Sequence, residues 1–182
     1  MKIIVARYNE NIEWTKQLDN IILYNKGGFI KEKHIPLKNV GREGHTYFTY
    51  IYDNYDNLDE HTIFLQGNPF DHSPNIINNI GKYKNKKNIH FAFLSETIIN
   101  CNLSGCKWDM SLPLIDIYEK IFGERKTNLQ FQFGAGAQFI VSREAILSRS
   151  KEFYLKLIKM LDHDICPLEG YVIERFHKLI FS

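Results

Sequence analysis

The sequence predicts an α/β fold, a single domain with a mainly parallel, mixed sheet flanked by helices. Three observations carry this expectation. Residues 2–24 read as strand–helix–strand, the unit that sets two strands parallel through a right-handed crossover. Short apolar runs then alternate with amphipathic stretches along most of the chain. Finally, the apolar run Ile63 to Leu65 ends abruptly in Gln66, Gly67, Asn68, Pro69, Asp71 and His72. Open α/β sheets build ligand sites at such carboxyl ends of their strands.

Each element follows in order. Residues 2–6 are apolar enough for a buried strand and end in Arg7-Tyr8-Asn9-Glu10. Residues 12–19 read as a short helix, with Asn11 as its cap and Ile12 and Leu18 inward. Residues 20–24 form a second strand, stopped by Asn25-Lys26-Gly27-Gly28. Residues 29–41 are loop-like. A helix over 42–57 aligns Tyr47, Phe48, Ile51 and Tyr55 along one face. The strand 62–66 follows, then a helix at 74–80 and an alternating strand at 89–94.

Residues 95–110 have no clean period and hold Trp108. An amphipathic helix at 112–122 closes on Gly123. Residues 129–133 and 137–141 are apolar runs split by Gly134-Ala135-Gly136, read as a turn or as a place where backbone approaches a ligand closely. One long helix is expected over 143–161. The last, 170–181, buries Val172, Ile173, Phe176, Leu179 and Ile180, and puts Glu174 and His177 together on its opposite face.

Bulk properties narrow the function. The chain has 182 residues, 44% of them hydrophobic, with 13 Phe and 10 Tyr, which suits one packed domain and not a disordered segment. A net charge of +2 gives no general case for nucleic acid or a membrane surface. The basic run Lys82 to Lys87 reads as a solvated loop. No stretch approaches a signal peptide or a membrane span, so a cytoplasmic protein with free thiols at Cys101, Cys106 and Cys166 is expected. A zinc site from those cysteines and His163 would match no standard spacing. The P-loop, G-x-S-x-G and H-E-x-x-H motifs are absent, which disfavours P-loop ATPases and common hydrolases.

Several segments carry a resemblance. Val5-Ala6-Arg7-Tyr8-Asn9-Glu10, Asn39-Val40-Gly41-Arg42-Glu43, Phe64 to His72, Gly136-Ala137-Gln138-Phe139 and Glu174-Arg175-Phe176 resemble an uncharacterised family of fungi, bacteria and large DNA viruses. That family in turn looks like the GT-A class of nucleotide-sugar glycosyltransferases. Such enzymes open with a strand ending in Tyr-Asn, continue through an Asn-x-Gly turn and a helix, and reach a strand ending in Asp-x-Asp. The resemblance implies a GT-A-like, Rossmann-like domain over residues 1–182. It would move a sugar from a nucleoside diphosphate donor, uridine-linked, to a glycan hydroxyl.

The donor would lie against Ala6, Arg7, Tyr8, Asn9, Glu10, Lys26, Asn39, Gly41, Arg42, Gln66, Gly67, Asn68, Gly136 and Gln138. Glu174 or Asp164 would act as base, with Asp162 and Glu169 as alternatives, and Trp108 beside Asp109 would stack on an acceptor ring. The chain departs from the pattern at one point: Gln66-Gly67-Asn68 stands where Asp-x-Asp would be. Neutral amides are poor ligands for a hard cation. A manganese or magnesium ion would then need Asp71, His72 and His177, or Arg42, Lys26 and helix amides would stabilise the diphosphate instead.

Bland readings stand beside each of these. Arg7 to Glu10 also suit an ordinary strand-to-helix loop, and Gln66 to His72 a turn held by side-chain to backbone bonds. Glu174 also suits a solvated helix face paired with Lys178. The rivals to the transferase are a non-catalytic nucleotide- or glycan-binding module on the same fold, and a nucleotidyltransferase.

Overall fold

The computed structural model describes residues 1–84, 86 and 88–182, so Asn85 and Lys87 of the basic run lie outside the described residues. Its centre is a parallel trio. Strand β1 (Lys2–Arg7) pairs in parallel with β2 (Ile21–Asn25) on one side and with β4 (His61–Gln66) on the other. These are the three most apolar runs near the N-terminus, and their near-continuous burial is what a sheet covered on both faces requires. A two-residue strand, β3 (Ile35–Pro36), adds in parallel beyond β2, inside the stretch expected to be loop. Proline suits that edge, since it has no N–H to give a further neighbour.

The sheet order is β3-β2-β1-β4-β8-β5, six strands. Strand β8 (Phe139–Ser142) runs antiparallel between β4 and β5 (Phe91–Phe93). The mixed, mostly parallel sheet expected from the sequence is therefore present. Strand β7 (Gln130–Gly134) instead pairs with β6 (Ile98–Asn102) in a separate two-stranded sheet. Gly134-Ala135-Gly136 is thus a passage between two sheets, not the tip of a hairpin.

Alternation along β1 and β4 sends Ile4, Ala6 and Phe64 to one face and Ile3, Val5, Ile63 and Leu65 to the other. The first face carries the larger core, covered by α1 (Arg42–Asp53), α3 (Leu114–Phe122), α4 (Arg143–Leu147), α5 (Lys151–Leu161) and α6 (Leu168–Ile180). The second is covered by Trp14 and by Ile76 and Ile80 of α2 (Ile76–Tyr83).

Four expectations need correction. The helix at 12–19 is only a 3-10 turn over Glu13–Gln17, although Asn11 Oδ1 does accept from the Glu13 amide as a cap would. The helix at 143–161 is broken. Ser142 and Ser150 each cap a new start, accepting from the Ala145 and Phe153 amides, so two helices replace one. Cys101 and Cys106 are not free thiols but a disulfide with Cα atoms 4.8 Å apart, and the turn after β6 that joins Asn102 to Gly105 brings them together. The Glu174–His177 face is buried: Glu174 is 7%, Arg175 5% and His177 2% exposed. Helix α1, β8 and the passage at Gly136 cover that side: His177 packs among Tyr47, Phe48 and Phe139, and Glu174 accepts from the Gly136 amide.

Among the described residues, no helix is long and apolar enough to cross a membrane.

Candidate functional site

Strands β1 and β4 stop level with each other, Ala6 opposite Gln66, and β2 stops with Asn25 opposite Arg7. Past this line the backbone is held by side-chain hydrogen bonds. Arg7 is 8% exposed and donates from Nε to the Glu10 carbonyl at 3.0 Å and from Nη1 to Asn25 Oδ1 at 2.7 Å and the Tyr8 carbonyl at 2.8 Å. Asn9 Oδ1 accepts from the Gly28 amide at 3.0 Å. Glu10 Oε2 accepts from the Tyr8 amide at 2.7 Å and lies over Gly67, where an added Cβ would come within 2.5 Å of it. Arg7 and Asn9 therefore shape the strand ends through Arg7 Nε and Nη1 and Asn9 Oδ1.

The second wall is the turn into α1. Gly41 has φ +62° and Arg42 φ +50°, two left-handed residues in succession. That conformation is costly for a residue with a Cβ and persists only where the surroundings fix it. Here they do. The Gly41 and Arg42 amides donate to the carbonyls of Asp164 (2.8 Å) and Ile165 (3.1 Å). Lys26 Nζ donates to the carbonyls of Val40 and Arg42. Burial pulls the Lys26 ammonium down to about 8, with Glu43 drawing it partly back.

Between these walls lies a cavity of about 530 Å³. Its lining includes Ala6, Arg7, Tyr8, Glu10, Lys26, Asn39, Arg42, Gln66, Asn68 and Asp71 from the sequence-based candidates, together with Glu43, Ile165 and Cys166. Arg42 makes no hydrogen bond with its guanidinium among the described residues. Its guanidinium lies 4.2 Å above the centre of the Tyr171 ring, a cation–π seat. Nε is 3.7 Å from Glu43 Oε2 and Nη1 is 3.7 Å from Glu174 Oε2. Both are too long for hydrogen bonds, and Nη1 is buried with no partner among the described residues.

Glu174 stands behind that arginine. Its Oε1 accepts from the Gly136 amide at 2.9 Å. Burial first, and then the nearby Glu43, push its carboxyl up to about 7, against the pull of Arg42 and the Gly136 amide. A carboxyl in that range exchanges protons near neutrality.

Other candidates are placed elsewhere. Gly67 meets the site through its backbone, its carbonyl accepting from Trp14 Nε1 at 2.9 Å. Gln138 is fully buried and donates to the Pro69 carbonyl, so it ties β8 to the turn after β4 and does not face the cavity. Asp164 Oδ1 accepts from the Cys166 amide, a local turn that occupies the carboxylate proposed as a base. Asp162 and Glu169 face Lys38 and His163 respectively.

The metal set does not assemble. His72 packs against Gly136. His177 lies among Phe139, Tyr47 and Phe48, and burial holds its imidazole down at about 3. Among the described residues, no three His, Cys, Asp or Glu side chains are grouped to hold a metal ion. A zinc site using Cys101 and Cys106 is excluded by their disulfide.

What remains is a set of separate carboxylates on the cavity wall. Glu10, Glu43 and Asp71 line the cavity, and magnesium is commonly held by one or two carboxylates plus substrate phosphates. Three carboxylates thus share the lining with three basic residues, Arg7, Lys26 and Arg42.

Sequence reasoning missed Glu43, Ile165, Cys166 and Tyr171. Glu43 was signalled by its place beside Arg42 at the start of a helix. Ile165 and Cys166 carried no signal, because the contact joining them to Gly41 and Arg42 runs between backbones far apart in the chain.

The family model described as protein of unknown function (DUF3431) matches residues 3–113. That stretch holds every residue lining the cavity except Ile165 and Cys166. No curated protein matches the chain.

Proposed function

The chain belongs to the DUF3431 family, whose description assigns no chemistry, and from the site itself we propose a glycosyltransferase that uses a nucleoside diphosphate sugar. One observation carries the reading. The cavity at the carboxyl ends of β1 and β4 is lined by Arg42, seated on the Tyr171 ring beside Glu43 and Glu174 and hydrogen-bonded to neither. Arg42 would receive the diphosphate, since a planar guanidinium suits phosphate oxygens. Asp71 and Glu10 would hold a manganese or magnesium ion, which would supply charge neutralisation of the leaving group.

In the transfer, the acceptor hydroxyl oxygen bonds to the anomeric carbon as the bond from that carbon to the diphosphate oxygen breaks. Glu43 lines the cavity and would take the hydroxyl proton. Glu174, on the far side of the same guanidinium, would set the charge of the pair. Glu174 therefore becomes a positioning residue in this reading and Asp164 drops out as a base. Tyr8, half-exposed at the rim, would lie along the uracil and ribose.

A second reading, a binding module without catalysis, is favoured by the neutral Gln66 and Asn68 at the end of β4.

A thermal-shift panel of nucleoside diphosphates and uridine diphosphate sugars, with and without manganese, tests the donor site. A ligand at 100 times its dissociation constant should stabilise the fold by roughly 2.7 kcal/mol. Asp71→Asn should reduce the manganese-dependent part of that shift. If no nucleotide raises the melting temperature, the transferase reading fails. Binding without transfer or donor hydrolysis across a broad acceptor panel would favour the binding module.

A further inference from the structure

Helix α6 links the cavity to a second polar feature. Tyr171, under Arg42, is one turn before Arg175, and Arg175 Nη1 donates to the Tyr171 carbonyl at 2.8 Å. Residues four apart on a helix stand about 6 Å from each other on the same face. Arg175 is 5% exposed, yet its Nε is buried without a partner among the described residues. An unmade bond on a buried charged group is expensive and points to a ligand.

The surroundings of Arg175 indicate its chemistry. The guanidinium lies 4.9 Å above the Phe133 ring, and the Trp108 indole meets that ring edge-on at 6.2 Å. Trp108 is 59% exposed and has φ +76°, a strained backbone for a bulky residue. The Cys101–Cys106 disulfide fixes the chain just before it. Burial disfavours the charge of Arg175, and the negative charges of Glu174 and then Asp109 favour it. An exposed indole held in a strained turn, beside one carboxylate and one guanidinium with an unused donor, is suited to a sugar ring. The ring's apolar face stacks on the indole, while its hydroxyls donate to the carboxylate and accept from the guanidinium.

We propose that Trp108, Asp109 and Arg175 form a subsite for a neutral glycan, reached from the cavity along one turn of α6. The inference rests on the transferase reading for its role as acceptor site, but binding of the glycan does not require a nucleotide.

The test is a titration of the full chain with neutral hexose and N-acetylhexosamine oligosaccharides, followed by tryptophan emission and by calorimetry. Trp14 is buried and Trp108 exposed, so a blue shift on binding reports Trp108. Trp108→Ala should weaken binding at least tenfold, and Asp109→Asn severalfold, without lowering the melting temperature more than a few degrees. Arg175→Lys keeps the charge and loses Nε, and should also weaken binding. Failure of every oligosaccharide to shift the emission at millimolar concentration overturns the proposal, as does binding unaltered in Trp108→Ala. Glycan binding in a protein that binds no nucleotide would uphold the subsite and sink the transferase reading.

Discussion

The carboxylate of Glu174 in α6 accepts a hydrogen bond from the backbone amide of Gly136, 38 residues earlier, in the passage between the two sheets. Gly136 has φ +84°, and an added Cβ would press on the His72 ring. A carboxylate in the core is thus anchored by a neutral backbone donor, with Arg42 near it but not bonded.

This bears on stability. Glu174 titrates near 4.5 in an unfolded chain and at about 7 in the fold, because burial and Glu43 disfavour its charge. Between these values the folded chain holds a proton that the unfolded chain has lost, so the contribution of Glu174 falls as pH rises through the window. Glu174→Gln should therefore gain stability relative to wild type between pH 5 and pH 8, on the order of 2–3 kcal/mol. Urea unfolding of both proteins at the two pH values measures this, and a difference independent of pH would refute it.

His177 works in the opposite direction. Its imidazole protonates at about 3 in the fold, against 6.5 when exposed, because burial among aromatic rings penalises its charge. As pH drops from 6.5 the unfolded chain takes up a proton that the fold refuses, and stability falls. His177→Leu should lose about 2–3 kcal/mol less than wild type between pH 7 and pH 4.5. Parallel acid unfolding curves for the two proteins would argue against this burial.

Arg42 is the residue on which diphosphate binding should depend. Arg42→Lys keeps a charge between Glu43 and Glu174 but gives up the planar stack on Tyr171. Affinity for uridine diphosphate should fall at least tenfold while the melting temperature moves by only a few degrees. Calorimetric titration of both proteins decides it; unchanged affinity would remove Arg42 from the site.

Two glycines should respond oppositely to alanine. A Cβ on Gly27 would lie 1.6 Å from the Tyr8 carbonyl oxygen, so backbone must move at the cavity's edge. Gly27→Ala should cost about 2 kcal/mol or more. Gly81 in α2 has nothing within 4 Å of such a Cβ, and Gly81→Ala should stabilise by about 0.5–1 kcal/mol through helix propensity. Denaturant midpoints of the two variants check both signs.

The strands that place the cavity were legible because β1, β2 and β4 are buried apolar runs that end in polar residues. Local chemistry also fixed α3, with Gly123 left-handed at its end. What escaped was non-local. Strand β6 carries two Asn in five residues and pairs along its whole length with β7, far later in the chain, and β8 enters the main sheet after both neighbours in the chain. Ser150 was a readable cap inside the apparent long helix, overridden by the apolar period on either side. Glu174 and His177 were assigned to solvent because a helical wheel does not include α1 and β8, which pack on that side of α6. The cavity was legible on its strand side and hidden on its α6 side for the same reason.

The insertion of β8 between β4 and β5 also limits where the chain can be cut. A fragment ending at residue 113, where the family match ends, would keep β1 to β6 but remove the strand that joins β4 to β5. The hydrogen-bonding edge of β4, rich in Ile63, Phe64 and Leu65, would then face water unpaired. Such an edge recruits copies of itself, so that fragment is a template for aggregation and not a smaller version of the site.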